Sequence, residues 1–126
     1  MIELLMEESI REVPQRAASR TMTVVLEGEI THRDWEDLAD HLFRLASRGV
    51  TQVVIDFAGV SHLDYRAVKP LAARTEIFRK AGGDVRLSGL SPYLHAIFRS
   101  AGANDTFDYF ADAVEAVKSF DQRRAG

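Results

Sequence analysis

The sequence predicts an α/β fold: a single domain with a mostly parallel sheet of four to five strands and about four helices. Three observations point there. Short apolar, β-branched runs alternate with amphipathic stretches along the chain, as in Val53-Val54-Ile55-Asp56-Phe57 before Leu71 to Phe78. Glycines stand where the helical periodicity stops, at Gly49, Gly82 and Gly102. At 126 residues, 46% of them apolar, the chain is long enough to bury one core.

Residues 2–13 read two ways. Ile2, Leu5, Met6, Ile10 and Val13 fit a helical stripe stopped by Pro14, and Ile10–Val13 also fits a short edge strand. The segment 14–20 is polar and small, a turn or linker. Residues 1–20 thus form an N-terminal extension or edge strand plus linker.

Thr21 to Ile30 alternates as a strand, with Gly28 marking a bulge. Thr31 is a helix N-cap, because its hydroxyl can accept from an orphan N–H, and Asp34 suits the positive helix start. Trp35, Leu38, Leu42 and Leu45 line the inner face of that helix. Trp35 reads as core rather than as a stacking residue.

The run 52–57 predicts a buried strand ended by Asp56 and Gly59. A loop then presents Ser61, His62, Asp64, Tyr65 and Arg66. Ligands and partners of parallel sheets meet the loops at the carboxyl ends of strands, so this is the candidate working surface. The following helix buries Leu71, Thr75 or Ala72, and Phe78, and ends near Ala81. Pro70 would break a helix begun at Asp64, so the helix is expected to start near Lys69.

Asp84 to Leu90 is a strand, and Ser91-Pro92 is an N-cap with proline in the first turn. Leu94, Ile97, Phe98 and Ala101 face inward on the next helix. Phe107 to Phe110 is a last strand. Ala111 to Phe120 is a last helix with Val114, Val117 and Phe120 inward, and 121–126 is a tail.

Composition excludes several functions. A net charge of −3 supplies no basic surface for nucleic acid. No apolar run is long enough to span a bilayer, so membrane insertion is not expected, and the acidic start lacks a secretory n-region. Without cysteine there is no thiolate ligand or nucleophile, and a cytoplasmic location fits. His32, His41, His62 and His95 have no metal-ligand spacing and read as surface or half-buried residues. Ser61, His62 and Asp64 are too close in sequence to converge as a triad. Asp56 and Asp64 lack a third ligand for a cation. No catalytic residue, cofactor or metal site is expected, and the residues alone reach only a small α/β binding module.

Five stretches carry a family resemblance. They are Val25-Leu26-Glu27-Gly28-Glu29-Ile30, Val53 to Val60 followed by Leu63-Asp64, Ala81-Gly82-Gly83, Leu87-Ser88-Gly89-Leu90-Ser91-Pro92, and Phe98-Arg99-Ser100-Ala101-Gly102. In this order, residues 21–120 resemble a STAS domain, the fold of bacterial anti-sigma factor antagonists and of the cytosolic tails of sulphate transporters. The resemblance implies a non-enzymatic regulator that binds a protein partner, such as an anti-sigma factor or kinase. In that family a pattern like Asp-Ser-Ser/Thr-Gly-Leu supplies the serine that a partner kinase phosphorylates. Here it reads Asp64-Tyr65-Arg66-Ala67-Val68. Tyr65 stands at the phosphoacceptor-equivalent position, so the serine switch is expected to be absent.

The partner-binding surface implied is Ser61, His62, Asp64, Tyr65, Arg66 and Lys69, with Arg66 and Lys69 favouring an acidic or phosphorylated partner. Two alternatives stand beside it. One is a cytosolic STAS-like accessory subunit of a lipid ABC-type membrane transporter, meeting an ATPase subunit. The other is a small nucleotide- or lipid-binding module. A homodimer is also compatible with the sequence.

Overall fold

The computed structural model describes residues 4–7, 10–14 and 20–125. Most of the expected linker at 14–20 lies outside them. Six strands form one sheet in chain order: β1 (Leu4–Glu7), β2 (Ile10–Pro14), β3 (Thr21–Ile30), β4 (Gln52–Leu63), β5 (Asp84–Ser88) and β6 (Tyr109–Phe110). β1–β2 and β2–β3 are antiparallel, and β3–β4, β4–β5 and β5–β6 are parallel. The helices are α1 (His32–Ser47), α2 (Val68–Lys80), α3 (Pro92–Ser100) and α4 (Ala113–Ala125). The parallel α/β class stands, and within the segment with two readings the described residues, 4–7 and 10–13, are strand, adding an antiparallel pair beside β3.

Side-chain alternation along β4 assigns the layers. Val53, Ile55 and Phe57 join a core shared with α1, α2 and α3, while Val54 points the other way and meets Ala116 and Phe120 of α4. Phe98 of α3 sits edge-on to Phe57 and Phe107, with centroids 5.9 and 5.8 Å away. Each such buried ring stabilises the fold by about 1.5–3 kcal/mol. Trp35 is buried in this core, as expected.

The predicted caps form. Thr31 Oγ1 accepts from Asp34 N at 3.3 Å while Asp34 Oδ2 accepts from Thr31 N at 3.0 Å, a reciprocal capping box. Ser91 Oγ accepts from Leu94 N at 3.1 Å, with Pro92 opening α3. Gly82 ends α2 at φ 89°, and Gly83 N donates to Phe78 O.

Several expectations need correction. Strand β4 does not stop at Asp56 or Gly59 but runs to Leu63, because β3 keeps pairing with it across two register shifts. Ser61 and His62 are therefore strand residues. The last strand shrinks to Tyr109–Phe110, with Phe107 buried ahead of it. On α4, Val114 is 62% exposed, and Ala116 takes the inward position. His41 is no surface histidine: it is 1% exposed and its Nε2 lies 3.0 Å from Glu12 Oε2 of β2. All five residues of β5 are buried, including Arg86, because α4 covers the second face. There the Arg86 guanidinium lies 4.2 Å from the Phe120 ring centroid and donates to Ser119 Oγ.

Candidate functional site

Strands β3 and β4 continue past the end of β5, whose last paired residue is Ser88, opposite Asp56. Their projecting ends carry Ile30 and Leu63 into the core. Asp64 N donates to Ile30 O, so the chain leaves β4 still tied to β3. A single 3-10 turn, Tyr65–Ala67, follows and leads into α2. This turn packs between α1 and α3.

Asp64 builds the turn. Its Oδ1 accepts from Arg66 N at 2.9 Å, the Asx-type contact that short acidic side chains make with backbone two residues on. The Arg66 side chain then closes a fork on the same carboxylate, Nε to Oδ1 at 3.1 Å and Nη2 to Oδ2 at 2.7 Å. Side-chain and then backbone hydrogen bonds from Arg66 hold the Asp64 carboxyl down at about 2. The same pairing raises the Arg66 guanidinium. Pro70 is the third residue of α2, where its missing N–H has no intrahelical partner to lose. The helix thus begins close to the expected Lys69.

The turn, the ends of β3 and β4, the start of α1 and one face of α3 enclose an open groove of about 940 Å³. Its lining is mainly apolar. Tyr65 is 63% exposed on one side and Tyr93 52% exposed on the other. His62 Nδ1 lies 2.5 Å from the Tyr93 hydroxyl, with the rings tilted 30° at 5.7 Å. Helix α3 presents Tyr93, Ala96, Ile97 and Ser100 along one stripe.

Of the expected surface residues, the fold brings His62, Asp64, Tyr65 and Arg66 into this groove. Ser61 is exposed on β4 and Lys69 in the first turn of α2, and neither lines it. Arg66 is paired with Asp64 while its side chain stays 70% exposed. Sequence reasoning missed Glu29 and the α3 stripe. The stripe was legible as a second face of α3, at spacings of three and four, opposite Leu94 and Phe98. Asp56 Oδ1 accepts from Ala58 N at 3.0 Å and Ser88 Oγ at 3.3 Å. Among the described residues, no three His, Cys, Asp or Glu side chains come together as a metal site, and no helix is long and apolar enough to cross a membrane.

Residues 13–112 match the family model described as "Mlab, STAS domain", and the chain belongs to that family. The anti-sigma factor antagonist SpoIIAA, a Bacillus cell fate determinant, superposes in its unphosphorylated form with a TM-score of 0.76 at 20% identity, over 94% of this chain and 98% of that one. An anti-sigma factor antagonist from Mycobacterium paratuberculosis gives 0.73 at 21% identity, over 89% and 94%. The murine anion transporter Slc26a9 gives 0.67 at 18% identity, over 86% of this chain but 18% of that one. At these identities the likenesses show the fold. No curated protein matches the chain.

Proposed function

We propose that this chain is a non-catalytic STAS-type regulator that docks a protein partner on the groove beside the 3-10 turn, without a serine phosphoswitch. One observation carries the reading: Tyr65, 63% exposed, stands at the groove directly after Asp64, where a serine acceptor would sit in the family pattern. The phenol places its hydroxyl well beyond the reach of a serine hydroxyl from the backbone. Exposed tyrosines around an apolar depression are the residue type that anchors interfaces. Anti-sigma factor antagonists share the fold, and SpoIIAA also exists in a phosphorylated form. The working location of such a regulator is the cytoplasm of a bacterial cell.

A photo-cross-linking residue placed at Tyr65 in the native cell tests this. The expected result is one dominant protein adduct that a cross-linker at Phe43, exposed on α1, does not give. Equal adducts from both positions, or none from Tyr65, would contradict it.

The fold likeness to a domain of an anion transporter supports a second reading, an accessory subunit of a membrane transporter. The adduct's identity separates the two: an ATPase subunit supports the transporter reading, a kinase or sigma regulator the first.

A further inference from the structure

The charges in the groove point to what fills it. Five acidic, basic or histidine side chains line it: Glu29, His32, His62, Asp64 and Arg66. Asp64 and Arg66 neutralise each other through two contacts. His32 Nε2 faces Glu36 at 3.6 Å, and His62 Nδ1 is engaged by the Tyr93 hydroxyl. Glu29 is left, exposed on β3 and without an ion pair among the described residues. The rest of the lining is tyrosine, aliphatic or small.

We propose that the occupant of this groove is a segment of the protein partner that combines apolar side chains with an arginine or lysine set against Glu29. The inference rests on the docking reading above and fixes the partner's charge. A cation there meets a carboxylate that no described residue pairs, and two exposed tyrosine rings line the same groove, where a cation can rest on an aromatic face. An acidic segment meets Glu29 as a like charge and finds the Arg66 fork already occupied. Ala96 and Ser100 on the α3 wall are small enough to let a backbone approach closely.

The test uses two synthetic amphipathic peptides sharing one leucine row, one with arginines beside the row and one with glutamates, titrated into the isotope-labelled full chain. The arginine peptide is expected to shift the Tyr93 and Ile97 amides and to bind at least about tenfold more tightly than the glutamate peptide. Glu29→Gln, a change at an exposed position, is expected to reduce that preference to within about threefold. Equal binding of both peptides in the groove, or a preference that survives Glu29→Gln, would overturn the charge assignment and leave the docking reading standing. Failure of the arginine peptide to shift the groove amides would overturn the proposal outright. The docking reading fails separately, on the cross-linking result at Tyr65.

Discussion

Asp64 and Arg66 grip each other across a single residue, with Nη2 of Arg66 2.7 Å from Asp64 Oδ2 and the Arg66 backbone N–H 2.9 Å from Oδ1. The pair shapes the turn that displays Tyr65. Its folded carboxyl lies at about 2, below the ordinary 3.8, so it adds stability above the ordinary value and loses it as pH falls through about 2. A carboxyl-detected NMR titration is expected to show Asp64 ionised well below pH 3.8, and Arg66→Ala is expected to return it toward that value. An unchanged titration in Arg66→Ala would remove the pair as the cause.

His41 is also shifted down, but by burial of its charged form rather than by a hydrogen-bonded partner. Burial lowers its imidazole below 6.5, Glu12 opposes the shift by attraction, and Arg44 and Arg48 reinforce it. The unfolded chain then takes up a proton that the folded chain resists, so stability declines as pH drops below 6.5. Glu12→Gln removes the opposing anion and is expected to lower the imidazole further, read from histidine ring NMR signals. A titration above 6.5 in the wild type would contradict the burial account.

Two glycines should behave differently. A Cβ on Gly83 would stand 1.6 Å from Thr51 O, a backbone atom that is also held by Asp84 N. Gly83→Ala is expected to destabilise the fold by on the order of 3 kcal/mol in chemical denaturation. On Gly59 the closest atom is Glu27 Cγ at 3.2 Å, the stem of an exposed side chain. Gly59→Ala is expected to change stability by less than about 1 kcal/mol. Similar losses at both positions would contradict the steric reading.

Much of this fold was legible because local chemistry and tertiary structure agree. Thr31, Ser91-Pro92, Gly49 and Gly82 do in the fold what their residue types favour anywhere. The misses lie where distant residues decide. Asp56 and Gly59 look like strand stops, yet Ser88 and the β3 backbone keep β4 extended. His41 looks like one polar residue on a helix, until β2 brings Glu12 under it. Tyr65 and Arg66 were readable as candidate residues from their place after Asp64. Glu29 was not, nor was the meeting of the α3 stripe with His62, because the groove exists only once β3, β4 and α3 meet.

The docking claim is tested most directly by the affinity of the cross-linked partner for purified variants of this chain, measured by calorimetry. Tyr65→Ala is expected to weaken binding by about 2 kcal/mol, as loss of an interface anchor does. Ser61→Asp, a charge mimic at the exposed serine beside the groove, is expected to change it by no more than about 0.5 kcal/mol. Undiminished binding by Tyr65→Ala, or binding abolished by Ser61→Asp, would contradict a tyrosine-anchored surface without a serine switch.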